Sequence, residues 1–294
     1  MAKSRDIYRR MKSVDNTRKI TRTMEMVATA KLRQAQTRVI KARPYSTRLI
    51  EMIGRLTTPE LADLQPLLRQ PKKVKRAAVI LITSNRGLCG GYNTNVANLA
   101  EKWIRAEQAE GREARVLLVG KKGISRFRFR KVEVAEKRTD IEDKPSFSQA
   151  SEIAGGFIES FRKGEVDRVM VAVTRYHSAV VQQADLFQLL PIIPPETEGD
   201  DGEEAPQQNT DFIFEPDPAR ILEDLLPFSV KHTMYRLLLE AAAGEQIARR
   251  VAMKLATDNA GELTRFYTGK YNRERQASIT QQIMEIVGGA EALD

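Results

Sequence analysis

The chain has 294 residues, of which 41% are hydrophobic and 30% charged, and it carries a net charge of +9. That is enough for one large domain or two modest ones with a buried core. A single cysteine excludes an internal disulfide, two histidines and one cysteine disfavour a dedicated zinc site, and no apolar run approaches the ~20 residues of a membrane span.

Residues 1–43 contain neither Gly nor Pro. A helix over that stretch would be about 65 Å long at ~1.5 Å per residue, so it must pack on a partner. Ile7, Met11 and Val14, then Ile20, Met24 and Val27, form two apolar triplets whose six-residue separation breaks a strict heptad. The stretch is Arg-rich like a transit peptide, but its regular pattern and its acids at Asp6, Asp15 and Glu25 argue against removal.

The middle of the chain alternates between strand and helix. Residues 77–84 are a short apolar run typical of a buried strand, and a glycine-rich loop over 85–92 follows. A helix is predicted over 93–110, a second buried strand over 115–119 and a third over 131–135. Residues 147–162 read as a helix, 168–174 as a strand, and 182–190 as an antiparallel edge. The alternation implies βαβ units and a mostly parallel sheet. Residues 194–209 are acidic, rich in Pro and Gly, and read as a flexible surface loop.

No Pro occurs from residue 228 to 294, a stretch that would span about 100 Å as one helix. Met234, Leu237, Ala241, Gly244, Ala248, Val251 and Leu255 follow each other at alternating steps of three and four, the seam of a coiled coil. Ile279, Ile283, Ile286 and Ala290 repeat the step. Two ends that both read this way suggest an antiparallel pair; separate amphipathic helices on a globular core are the alternative.

The tempting enzyme motif is the loop from Ser84 to Gly91, since a glycine-rich turn after a first strand is where doubly wound folds bind phosphate. It matches neither a dinucleotide fingerprint nor a P-loop, and Gly120-Lys121-Lys122-Gly123 has the wrong spacing for a Walker motif. Cys89 as a nucleophile would need a base, but His177 and His232 lie in unrelated contexts; a small buried residue beside a tight turn is the simpler reading. The acids of the 194–209 loop lack calcium-loop spacing. Residues 1–48 carry fourteen Lys or Arg against three acids. Such a basic helix suits nucleic acid, a solvated face, or an acidic protein partner. A nucleic-acid reader would need interleaved aromatics or a reading motif, which this helix lacks.

Several segments resemble the gamma subunit family of F-type ATP synthases. The N-terminal run from Ile7 to Thr21, continuing from Met24 to Leu32, is similar to the family's opening pattern almost position for position. So are Arg86-Gly87-Leu88-Cys89-Gly90-Gly91, Val251-Ala252-Met253-Lys254 with Ala256-Thr257-Asp258-Asn259, and Arg275-Gln276-Ala277-Ser278-Ile279-Thr280-Gln281-Gln282-Ile283 through Val287. The resemblance covers essentially the whole chain. It implies an α/β fold in which a long antiparallel coiled coil of the N- and C-terminal helices joins a Rossmann-like α/β domain. The expected divisions are residues 1–58 and 218–294 for the coiled coil, 72–192 for the Rossmann-like domain, and 193–211 for the acidic loop.

By the same resemblance the chain is a non-catalytic, cofactor-free central-stalk rotor. It would couple ion flow through a c ring to ATP synthesis or hydrolysis at the beta subunits of the complex. Its implied partners are three alpha and three beta subunits around one copy of this chain, an epsilon subunit and the c ring. It would bind no nucleic acid and meet the membrane only through that ring, as a peripheral protein on the cytoplasmic face of a bacterial cell membrane. Met24, Arg275, Gln276 and Thr280 match the family's contacts with the alpha–beta ring, though a seam methionine and a solvated helix face explain the same residues. Phe212, Phe214 and Glu215 match the foot on the c ring; the family often has tyrosine where Phe212 and Phe214 stand. Asn85 stands where an acid is usual, and no inserted cysteine pair of the plastid kind is present.

Overall fold

The computed structural model describes residues 2–57, 61, 64–71, 73–176, 178, 181–193 and 217–291. The chain forms two compact units, Met1–Ala30 with Arg249–Asp294, and Lys31–Ala248. In chain order the elements are α1 (Ala2–Leu56), β1 (Arg76–Ile82), α2 (Tyr92–Ala109), β2 (Glu113–Val119), α3 (Lys121–Phe129), β3 (Glu136–Arg138), α4 (Phe147–Arg162), β4 (Arg168–Tyr176), β5 (Gln182–Leu190) and α5 (Pro218–Glu291). Both long helices run through a proline, Pro44 in α1 and Pro227 in α5. A breaker-free count therefore underestimates them: each proline removes one backbone donor, and packing on neighbours compensates.

In the larger unit the sheet order is β3-β2-β1-β4-β5, with the first four strands parallel and β5 antiparallel to β4. β1 is buried on both faces, which is why it reads as continuous aliphatic sequence rather than alternation. Val79 and Leu81 pack with Val96, Ala100 and Ile104 of α2 and Phe127 of α3. Ala78, Ile80 and Ile82 face the other way, into a core shared with Ile153 and Phe157 of α4, Leu49 and Ile53 of α1, and Leu226 to Leu237 of α5. α4 starts at a capping box in which the Ser146 hydroxyl accepts from the Gln149 N–H and the Gln149 side chain accepts from the Ser146 N–H.

Two expectations for the middle segment are corrected. The third strand is Glu136–Arg138, not 131–135, and the Gly120-Lys121 turn opens directly into α3. The charged sequence of α3, with only Gly123 and Phe127 buried, hides its helical period. Gly120 has φ 95°, and a Cβ there would lie 2.1 Å from the Thr83 carbonyl oxygen, so this turn requires glycine.

The two long helices pair antiparallel in each unit. In the smaller one, Tyr8 stacks at a tilt on Tyr271, with centroids 5.6 Å apart. The Thr268 hydroxyl donates to Met11 Sδ at 3.4 Å and the Thr257 hydroxyl to that of Thr21 at 2.9 Å. In the larger unit Ala35 and Val39 cluster with Ala243 and Leu239, and the Ser46 hydroxyl lies 3.2 Å from His232 Nδ1.

The seams differ from those expected. On α1 the inward stripe runs in steps of three and four through Ile7, Met11 and Val14, skips the exposed Arg18, and resumes through Thr21, Glu25, Ala28, Leu32, Ala35 and Val39 to Leu56. The apparent break in the heptad arises because the polar Thr21 and Glu25 occupy seam positions and Arg18, the step before them, is exposed. Ile20 and Val27 stand one residue away, 61% and 50% exposed, while Thr21 and Ala28 are 9% and 1% exposed. On α5 the expected seam is buried through Gly244, but Val251 and Leu255 are exposed. The inward stripe there runs Met253, Thr257, Ala260, Thr264, Tyr267, Tyr271, Glu274 and Ser278. Ile279, Ile283 and Ile286 are exposed beside or beyond it, and the side chain of Ala290 lies outside the described residues.

Candidate partner interface and the switch-point loop

Over much of its length the smaller unit thus turns polar and small residues such as Thr21, Ala28, Thr257 and Ala260 inward and leaves aliphatic neighbours outside. Ile20, Met26 and Val27 of α1, and Val251, Leu255, Leu263 and Phe266 of α5, are all exposed. The antiparallel register places the start of α1 opposite residues near 277 of α5, so α1 ends before Ile279, Ile283, Met284, Ile286 and Val287 are reached. A paired helix that exposes this much apolar surface is built to be covered by something else. Basic side chains alternate with these residues. Asp15 holds two of them, Lys19 at 2.9 Å and Arg18 at 2.8 Å, and its carboxyl is kept below the usual range, first by the hydrogen bond from Lys19.

Met24 is half-buried on α1, and Arg275, Gln276 and Thr280 are exposed on α5. The structure does not bring these residues together. Met24 lies opposite the part of α5 near Leu255, about 30 Å along the helix from Arg275 at ~1.5 Å per residue. Phe212, Phe214 and Glu215 lie outside the described residues, as does most of the 193–211 loop.

In the larger unit the glycine loop follows β1 at the point where strand order reverses, the usual ligand crevice of such sheets. Beside that crevice, the amides that open α3 are engaged within the protein. At the start of α3 the Lys121 N–H donates to Asn85 Oδ1, the Lys122 N–H to the Ser84 carbonyl, and the Gly123 N–H to the Thr83 hydroxyl. Those three amides are therefore not free to hold a phosphate. Cys89 is buried beside the Ser84 hydroxyl and the Asn93 amide. Among the described residues no cluster of His, Cys, Asp and Glu could hold a metal ion, and no helix is long and apolar enough to cross a membrane.

Asn85 explains its own departure from an acid. Its amide donates to the Ile141 carbonyl at 2.8 Å and the Thr139 carbonyl at 3.2 Å, which no carboxylate could do. The pinned loop carries Asp143, which accepts from Lys31 Nζ of α1 at 2.5 Å and from Gln246 Nε2 of α5 at 3.0 Å. A second clasp is Glu240 of α5, buried between Arg175 of β4 at 3.0 Å and Arg236 at 2.9 Å. The sheet is therefore fastened to both long helices by hydrogen-bonded charges as well as by its core.

A family model described as ATP synthase matches residues 3–293. The ATP synthase gamma chain of Leptospira biflexa is 45% identical over 293 residues, covering 100% of both chains. That of Gemmatimonas aurantiaca is also 45% identical, covering 100% of this chain and 99% of its own. The chain belongs to the ATP synthase gamma-chain family. The fold agrees: a chain in a structure of Euglena gracilis mitochondrial ATP synthase comprising OSCP, F1 and c-ring gives a TM-score of 0.64 at 20% identity, covering 99% of this chain and 95% of that one. One from the central stalk and c-ring of the Tetrahymena thermophila enzyme gives 0.59 at 20% identity, covering 81% and 99%. For a gamma-chain family member the outward aliphatic residues are the feature that reading the sequence alone misplaced. Strict counting from Ile7 in heptad steps would have found them.

Proposed function

We propose that this chain is the central-stalk rotor subunit of an F-type ATP synthase, itself without catalytic activity. The observation that carries this is identity of 45% with a gamma chain over the full length of both chains. The chain turns inside a ring of three alpha and three beta subunits, where ATP chemistry takes place. Its foot is held with an epsilon subunit on a c ring, at the cytoplasmic face of a bacterial membrane, which it meets only through that ring. Residues 1–58 and 218–294 serve as the shaft and 72–192 as its flanking domain.

Met24, Arg275, Gln276 and Thr280 contact the alpha–beta ring; Phe212, Phe214 and Glu215 contact the c ring. Moving a two-state catalytic subunit from 1:99 to 99:1 takes about 5.5 kcal/mol of differential contact. One charge crossing 100 mV supplies about 2.3 kcal/mol, so several crossings are summed through the shaft for each switch. Outward aliphatic and basic side chains suit a sliding contact, being individually weak and readily exchanged.

The test is co-expression with the alpha and beta subunits of the same source, followed by native mass spectrometry and an ATPase assay. One copy of this chain per three alpha and three beta, with hydrolysis faster than that of the ring alone, is the expected result. A chain that stays alone and leaves hydrolysis unchanged would overturn the assignment.

A further inference from the structure

Three helices of the larger unit end in the same hydrogen-bond pattern. After α2 the Gly111 N–H donates to the Gln108 carbonyl and the Arg112 N–H to that of Glu107; after α4 the Gly164 N–H donates to Phe161 and the Glu165 N–H to Ser160. After α3 the Lys131 N–H donates to Arg128 and the Val132 N–H to Phe127. The pattern needs a left-handed residue, and α2 and α4 supply Gly111 and Gly164. The third end has Lys131 at φ 55°, a conformation lysine adopts only at a cost. Unlike the other two ends, this one therefore presents a side chain at the left-handed position.

Lys131 lines a groove of about 300 Å³ between α3 and β3. Ile124, Val132 and Val134 line it too, with Arg128, Lys131, Lys137 and one acid, Glu133. All three cations are exposed. Their neighbours Arg126 and Arg138 are neutralised by Glu101, Asp140 and Glu152. Next to Arg128 stands Phe129, 85% exposed. β3 is three residues long and pairs only with β2 among the described residues, so its outer edge is open to an extended segment.

We propose that the α3–β3 groove is a docking site for an extended acidic protein segment bearing an aliphatic side chain. The carboxylates would meet Arg128, Lys131 and Lys137, and the aliphatic side chain would rest on Ile124, Val132 and Val134. A concave slot with one exposed aromatic beside it favours a peptide over a lipid surface, which is met by a broad apolar helix face. This surface lies outside the residues assigned to the rotor contacts and stands or falls independently of them.

The probe is a fluorescein-labelled peptide, four glutamates, Leu-Val-Leu and four glutamates, titrated by anisotropy into the full-length chain. Saturable binding is expected, weakened about ten-fold or more by combined Arg128→Glu and Lys131→Glu, since exposed pairs are individually weak but additive here. Combined Arg9→Glu and Lys12→Glu on α1 should leave it unchanged, and Lys131→Gly, which keeps the fold, should weaken it. Equal loss in the α1 variant, absence of binding, or preference for phosphatidylglycerol vesicles or single-stranded DNA displaced only by those competitors would overturn the proposal.

Discussion

Glu240 illustrates how much single residues carry here. It is buried and holds two guanidiniums, and Arg236, whose own pKa is lowered mainly by burial, relies on it for charge compensation. Glu240→Gln should cost about 3 kcal/mol in urea unfolding, because the buried Arg236 loses its carboxylate partner and Arg175 keeps only Asp185, at 4.0 Å. Gly120→Ala should cost about 3 kcal/mol or more, since its Cβ has no room beside Thr83. Lys131→Gly should instead raise stability by about 1 kcal/mol by relieving the left-handed strain. His232, set among Tyr45, Ser46, Phe228, Tyr235 and Arg236, has its pKa lowered by burial first and by Arg236 second. The unfolded chain takes up that proton more readily, so stability is complete above the unfolded pKa near ~6.5 and falls as the pH drops through it toward the lowered folded value. His232→Gln should flatten the difference between unfolding measured at acid and at neutral pH.

Among elements, what could be read from sequence depended on whether burial left a period. β1 was legible as a continuous aliphatic run buried on both faces, and α4 and β5 because their apolar residues follow the helix or strand repeat. α3 was not, because only Gly123 and Phe127 of its nine residues are buried, and β3 is too short and charged to carry a signal. The contact residues of the long helices were misassigned for a different reason. Aliphatic residues were given to the seam, whereas the seam is built from Thr21, Ala28, Thr257 and Ala260, and the aliphatic neighbours face out. The register has a direct check. Ala28→Leu should destabilise by about 1–3 kcal/mol through overpacking, while Val27→Ala should change the melting temperature negligibly. The reverse result would restore the register read from the apolar triplets.

At the scale of the whole molecule, the sequence carried the family through motifs spread along the chain, while composition alone left a basic helix open to nucleic acid. Charge was uninformative because a cationic surface serves any anionic partner. The engaged amides at the start of α3 and the outward aliphatic residues of the long helices are what turn the reading toward a partner-driven subunit. The most direct test is a single-molecule assay on the assembled ring, with the alpha–beta ring fixed to glass and a bead on an engineered cysteine of this chain, Cys89 being buried. Continuous rotation of the bead in one direction on adding ATP, slowing as ATP is diluted, is the expected result. A bead that stays still while the same complexes hydrolyse ATP at full rate would contradict the rotor assignment.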